Sequence, residues 1–422
     1  MSAVKAERYA AYKDSGAEWL SEIPSHWLLM RNKGVFSERG SLSQNGDEIL
    51  LTVSHITGIT RRSEKNVNMF MAETMEGYKH CKKGDLVINT MWAWMGALGT
   101  ASEDGICSPA YGVYAPNRFT PYNPRYFDYL YRTPSAISEM TRNSKGIVSS
   151  RLRLYPKEFF QILTVLPPCY EQTAIAVYLD NKTSQIDRQI DLLGQKAKQY
   201  DKLKQSLINE TVTRGLDKSV PMKDSGVEWI GEVPEHWSVL RLKDVCSIHK
   251  GKVFDFDTED ENGLFPYFNG GMTPSGYSDF SNMPSGVIAV SEGGASSGYT
   301  QFMRTPFWCG AHCYAIFSKT KSKKYLYYCI KGSEHVLSEL KTGSAMPNLK
   351  RSEISNFLVA ITKNPEEQAA ITAYLDEKTT QINHIVTTIN TQIDQLRDLR
   401  KALINDVVTG KIKVVSEEGQ VA

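Results

Sequence analysis

One constraint governs what this chain can become: most of its plan is written twice. The segment KDSGAEWLSEIPSHW at 13–27 returns as KDSGVEWIGEVPEHW at 223–237, with ten of fifteen positions identical. EQTAIAVYLDNKTSQI at 171–186 returns as EQAAITAYLDEKTTQI at 367–382. A unit of about 200 residues, built from an aromatic box, a long variable stretch and a heptad-patterned helix, therefore occurs twice in tandem. Two copies of one unit imply an internal pseudo-two-fold. The stretches between the repeated elements have diverged, so one scaffold carries two different surfaces.

The helices are the clearest local signal. Leu179, Ile186, Leu193, Tyr200 and Leu207 recur every seven residues, with Ala176, Thr183, Ile190, Ala197 and Lys204 three residues before each. In the second copy Leu375, Ile382, Ile389, Leu396 and Leu403 form the same row, preceded by Thr372, Thr379, Val386, Ile393 and Arg400. This a/d pattern, held for about five heptads, predicts two helices of about 40 residues, each about 60 Å long, whose narrow apolar stripes form a coiled-coil core. The economical cover for one stripe is the other copy. A two-fold relating the units makes the helices antiparallel and sends the variable domains to opposite ends. The competing arrangement docks each helix on a separate core. Lys204 and Arg400 hold matched a positions, where a cation must snorkel, meet an acid or mark the packing of another subunit.

These elements divide the chain into a box at 1–27, a first variable domain at 28–166, a central helix at 167–213, and a linker with the second box at 214–237. A second variable domain at 238–362, a C-terminal helix at 363–412 and a tail at 413–422 follow. Gly84, Gly96 and Cys107 match Gly286, Gly298 and Cys309 at a constant offset of 202, so the domains share a fold and differ in loops. Runs at 85–89 and 286–290 read as strands, and runs at 126–131 and 324–330 as helices. The expected fold class is α/β (α+β): two similar domains separated by a long antiparallel two-helix coiled coil.

Composition bounds the function. With 41% hydrophobic and 23% charged residues over 422 positions, the chain has the profile of folded globular domains. No leader-like or membrane-spanning apolar run is evident, which predicts a cytoplasmic protein with no membrane partner. Seven cysteines without framework spacing predict free thiols in a reducing compartment. A net charge of +2 leaves any polyanion partner to be read from local patches.

Two loop segments per domain supply such patches. TRNSKGIVSSRLR at 141–153 and KTGSAMPNLKR at 341–351 occupy the same place in each copy, and neither contains an acid. Long cations beside Ser, Thr, Asn and Gly suit phosphate contact and base-edge reading. A solvated surface loop is the plainer reading, and recurrence in both copies favours the functional one. The other segments are NTMWAWMG at 89–96 and EGGASSG at 292–298. Trp92 and Trp94 are open to stacking against DNA or to burial in a core.

Other chemistries lack their motifs. There is no phosphate loop, no dinucleotide fingerprint, and no Asn/Asp-Pro-Pro-aromatic tetrad, the nearest approach being Leu166-Pro-Pro-Cys169. Neither a cofactor nor a metal is expected in this chain: Cys309, His312 and Cys313 have no second ligand cluster at suitable spacing. His26 and His236 sit beside Trp27 and Trp237 in both boxes, which fits packing rather than catalysis. No catalytic residue is predicted.

Box, variable domain and E-Q-x-x-I-x-x-[YF]-L helix, given twice over nearly the whole chain, resemble the DNA specificity subunit of type I restriction-modification systems. The residues that carry the resemblance are Pro167, Pro168, Glu171, Gln172, Ile175, Leu179, Asp180 and Ile186, then Pro365, Glu367, Gln368, Ile371, Leu375, Asp376 and Ile382. The lead Pro-x-x-x-Glu-Gln is shortened to Pro365-Glu-Glu-Gln368 in the second copy. The resemblance implies two target-recognition domains, each reading half of an asymmetric bipartite site on double-stranded DNA. It also implies two modification (methyltransferase) subunits and ATP-dependent restriction subunits as partners, with S-adenosylmethionine, ATP and magnesium belonging to them. The chain itself is then a non-catalytic subunit. Candidate DNA contacts are Arg142, Lys145, Ser149, Ser150, Arg151 and Arg153, with Asn89 and Thr90 as helpers. In the second domain they are Lys341, Thr342, Ser344, Asn348 and Lys350, with Ser296 and Ser297. The alternative is a coiled-coil adaptor whose two domains grip proteins.

Overall fold

The structure, a computed structural model, describes residues 7–65, 74–148, 151–254, 263–342 and 348–414. Two compact units divide the chain: residues 1–192 with 392–422, and residues 193–391. Each long helix thus lends one stretch to each unit.

In the first unit the strand that enters the domain, Leu28–Arg31, pairs antiparallel with the strand that leaves it, Leu163–Leu166. This pairing closes the domain immediately before the long helix begins. Between them lies a four-stranded antiparallel sheet in the order Phe36–Glu38, Tyr111–Pro116, Leu86–Asn89, Leu98–Thr100. The central strand reads as an unbroken apolar run because both its faces are covered. Leu86 and Ile88 join the main core with Phe127, Tyr131 and Phe159, while Val87 faces a smaller cluster containing Cys81, Ala97 and Val113. The helix Pro124–Tyr131 starts where the Asn123 side chain accepts the amides of Arg125 and Tyr126.

The second unit repeats this plan. Ser238–Arg241 pairs with Leu358–Ile361, and the sheet runs Cys246–Lys250, Cys313–Ser318, Val287–Ser291, Thr300–Met303. Ile288 and Val290 face the main core, Val287 and Ala289 the smaller cluster with Phe268 and Phe307. The helix Lys323–Gly332 is capped by Ser322. The units diverge beside the smaller cluster. The first has a hairpin of Leu51–Ser54 with Gly58–Arg61 and a separate pair of Lys79–Cys81 with Gly105–Cys107. The second has one three-stranded sheet of Gly276–Ser278, Phe265–Phe268 and Trp308–Cys309, the last pair parallel.

The long helices run Cys169–Arg214 and Pro365–Val408. None of the twenty predicted a and d positions is exposed. Within the first unit Asp187 meets Arg400 at 2.9 Å, while Ile175 and Leu179 share a core with Val407 and Val408. Within the second, Lys204 donates to Asn383 at 3.0 Å, while Ile208 and Val212 share a core with Ile371 and Leu375. In both, one residue number falls as the other rises, so the helix segments are antiparallel. The pairs are also equivalent, because an offset of 196 carries Asp187 to Asn383 and Lys204 to Arg400. The a-position cations therefore resolve as polar contacts across the helix pair, Lys204 also reaching Asp201. Arg400 is an ion pair whose Nε–H is not aligned for a hydrogen bond. Burial extends beyond the narrow stripe near each domain, where Ile175, Ile208, Val212, Ile371, Val407 and Val408 widen the apolar face. The shortened lead of the second helix does not displace its start, since Pro365 itself opens the first turn and the Asn364 side chain accepts the Glu366 amide at 3.0 Å. Among the described residues no helix is long and apolar enough to cross a membrane.

Candidate nucleic-acid interface

The Glu-Gln pair of each signature explains why box and helix repeat together. Glu171 is buried and accepts from Tyr9 Oη at 2.8 Å and Trp27 Nε1 at 2.9 Å, with His26 Nε2 2.6 Å from its other oxygen. Burial first, and the Glu171 carboxylate second, push the Tyr9 phenol well above its ordinary range, so Tyr9 stays a donor. In the second unit Glu367 accepts from Trp237 Nε1 and lies against His236 Nε2, both at 3.0 Å. The duplicated histidines thus serve the box. Gln172 accepts the Asn123 amide at 2.8 Å and donates to the Pro167 carbonyl at 2.9 Å. Gln368 accepts the Ser322 amide at 3.3 Å and donates to the Thr362 carbonyl at 2.8 Å. Asn123 and Ser322 are the residues that cap the domain helices, so each glutamine ties a long helix to its domain. Asp180 and Asp376 add a third tie, accepting the hydroxyls of Tyr129 at 2.8 Å and Tyr328 at 2.5 Å.

On these anchored domains, the two loop segments singled out in each copy come together. In the first unit the Leu154 amide donates to the Thr90 carbonyl at 3.0 Å, and Lys145 and Arg153 exchange backbone hydrogen bonds at 2.8 Å, closing a short hairpin. In the second, the Leu349 amide donates to the Glu292 carbonyl at 2.8 Å, and Thr342 and Asn348 exchange backbone bonds at 2.9 Å. The hydrogen-bond frame is the same. What hangs from it differs.

Lys145, Arg151 and Arg153 are exposed, and among the described residues none forms an ion pair. Arg142 is exposed but held by Glu18 and Glu139, so its charge is already answered. Asn89 is buried and its side chain accepts the Met91 amide at 3.2 Å, while the Thr90 hydroxyl donates to the Ala110 carbonyl at 2.8 Å. Both shape the loop from within. Ser297 is likewise buried, donating to the Glu292 carbonyl at 2.9 Å, and Ser296 donates to the Gly270 carbonyl. Lys341, Thr342, Asn348 and Lys350 are exposed. Ser149, Ser150 and Ser344 lie outside the described residues.

Composition of single segments missed a polar cluster in the second unit. Tyr314 Oη donates to Glu292 at 2.8 Å, Lys250 pairs with the same carboxylate and lies 4.5 Å from the Tyr314 ring centre, and His312 Nδ1 is 3.8 Å away. Burial and then Glu292 push the Tyr314 phenol up. These residues lie on three separate chain segments, and their only sequence signal is Lys250 emerging at the end of a strand that alternates buried and open positions. Cys309 and Cys313 are buried, and among the described residues no three His, Cys, Asp or Glu side chains converge as a metal site would require.

The architecture is one frame used twice, each copy presenting a different loop surface. Residues 234–395 match the family model for the type I restriction modification DNA specificity domain. The MjaVIII type I restriction enzyme specificity subunit of Methanocaldococcus jannaschii is 26% identical over 286 residues, 61% of this chain and 64% of that one. The EcoDI specificity subunit of Escherichia coli is 23% identical over 188 residues, 43% of this chain and 40% of that one. The matched stretches thus span less than two thirds of these relatives. Two solved structures share the fold. One is a chain from work on complex assembly and conformational transition of the type I R-M system, with TM-score 0.69 and 18% identity, covering 92% of this chain and 98% of that one. The other is the HsdS subunit of Thermoanaerobacter tengcongensis, with TM-score 0.51, 19% identity and the same coverage. Over these stretches the chain is similar to DNA specificity subunits of type I restriction-modification systems, and residues 234–395 match that family's domain.

Proposed function

We propose that this chain is the non-catalytic subunit that selects the DNA target of a type I restriction-modification complex. Each domain reads one half of a bipartite double-stranded site through its pair of joined loops, and the two halves differ in sequence because the loops differ. The paired helices and boxes form the scaffold on which two modification subunits sit, with ATP-dependent restriction subunits completing the assembly. S-adenosylmethionine, ATP and magnesium belong to those partners. The observation that carries the reading is the repeated frame, Thr90 to Leu154 and Glu292 to Leu349, bearing exposed cations in both units. Lys145, Arg151, Arg153, Lys341 and Lys350 suit phosphate or base contact, whereas Asn89, Ser296 and Ser297 support the loops that present them.

The test assembles the full chain with its modification subunits, maps methylation across a genome, and measures binding to the enriched site at several salt concentrations. The expected result is one asymmetric bipartite motif and an affinity that falls steeply with salt. Flat salt dependence with no DNA retention would instead support the protein adaptor.

A further inference from the structure

The two loop surfaces differ in one respect that charge does not explain. In the first unit Trp92 stands 47% exposed at the start of a tight turn, Ala93–Met95, with Met95 also exposed beside it. The corresponding turn of the second unit, Gly294–Ser296, has no aromatic residue. Trp94, two residues on, is half-buried and its Nε1 donates to the Met91 carbonyl at 3.0 Å, so the turn keeps one indole for itself and shows the other to solvent.

The platform beneath Trp92 is held from both sides. Gly96 closes the turn at φ 81°, and a Cβ there would stand 2.6 Å from Ile137 Cδ1, so the helix Pro134–Asn143 is pressed against it. On the other side the Thr90 carbonyl accepts the Leu154 amide, and the Thr90 hydroxyl reaches Ala110. That same Leu154 bond brings in the hairpin carrying Lys145, Arg151 and Arg153. A large flat ring on a held turn, joined through that bond to a hairpin whose cations meet no acid among the described residues, suits a polyanion with exposed π faces. An apolar protein partner would leave those charges without a counterpart.

We propose that Trp92 stacks on a base of the DNA held by the first unit, resting on the DNA reading above, so that this half-site is recognised partly through ease of unstacking. The corresponding turn of the second unit, Gly294–Ser296, offers no such ring, so stacking at this position is confined to the first half-site. The sequence preference of the first half-site then favours flexible pyrimidine–purine steps at the stacked position.

The full chain, assembled with its modification subunits, is tested on a random-sequence duplex pool and on the sequence that pool enriches, by anisotropy for affinity and by tryptophan emission for stacking. Trp92→Ala is expected to weaken binding about 5- to 150-fold, with loss of DNA-dependent quenching and an unchanged salt slope. Trp92→Phe should restore most of the affinity, which separates stacking from a folding defect. Arg153→Ala should lower the salt slope and leave quenching intact. If the unaltered chain binds DNA with steep salt dependence while Trp92→Ala binds equally tightly and quenches equally, the stacking inference is overturned and the DNA reading stands. If the unaltered chain shows no salt-dependent DNA binding, both fall together.

Discussion

Replacing Glu171 by alanine should cost the first unit far more than a single surface carboxylate would suggest. Glu171 is 2% exposed, and one of its donors, the Trp27 indole, is fully buried. Without the carboxylate, that N–H has no water to turn to, and the Tyr9 hydroxyl loses its 2.8 Å partner. Each hydrogen bond to a charged acceptor contributes about 1.5–3 kcal/mol. His26, whose side chain is 44% exposed, is rehydrated at little cost. Relief of the carboxylate's own desolvation offsets part of the loss, leaving a net destabilisation of about 3 kcal/mol. Glu171→Gln keeps the shape and can leave its amide oxygen where Tyr9 and Trp27 donate, with its NH2 toward His26 Nε2, so it loses mainly the charge and a smaller cost of about 1 kcal/mol is expected. Urea unfolding of the full chain, followed by tryptophan emission and by circular dichroism, reads the difference, because Trp27 reports on the affected box. Glu367→Ala should do the same through Trp237 in the second unit. A loss below about 1 kcal/mol for Glu171→Ala would refute the hub assignment, since it would mean that the buried donors are satisfied some other way.

Other outcomes follow from the same geometry. Gly410 ends the second helix at φ 80°, and a Cβ there would lie 2.4 Å from Pro24 Cδ; Gly215 after the first helix, at φ 72°, would meet nothing nearer than 3.4 Å. Gly410→Ala should therefore lower the thermal midpoint well beyond the shift of about 1 kcal/mol that strain alone gives Gly215→Ala, and equal shifts would discount the Pro24 contact. Cys169 is the exposed cysteine of the seven, while burial pushes the Cys107, Cys246 and Cys329 thiols up to about 12. A raised thiol pKa keeps the neutral form dominant at every pH below that value, so raising the pH from 7 to 9 should not recruit those three. A thiol reagent should show one fast equivalent in the native chain, absent in Cys169→Ser, and all seven after denaturation. Arg153→Ala should reduce the slope of log affinity against log salt by about 0.9 if its guanidinium holds one phosphate, whereas a loss confined to one base position marks it as a reader.

The periodic parts of this molecule were legible in the residues. Seven-residue spacing of Leu179 through Leu207 and of Leu375 through Leu403 is a local property, so it specified helices and their buried rows directly. Apolar runs at 85–89 and 286–290 likewise marked central strands, because a strand covered on both faces has no polar side to show. The duplication of the boxes announced a shared structural task. It did not disclose that the task is to place indole donors on Glu171 and Glu367, more than 100 residues away in the chain.

At the loops, residue type and spacing selected the right segments and not always the right side chains. Asn89, Ser296 and Ser297 have the composition of a reading surface yet turn inward, because a tight loop must satisfy its own carbonyls and amides before it offers anything to a ligand. Arg142 is answered by Glu18, a residue 124 positions earlier that no window of sequence could pair with it. The sequence by itself determined that two copies of one frame exist, that each rides on a long amphipathic helix, and which loops diverge. Only the tertiary structure decided which polar groups in those loops are left free, because hydrogen bonds and ion pairs are short-range, and the partners that use them up arrive from distant parts of the chain.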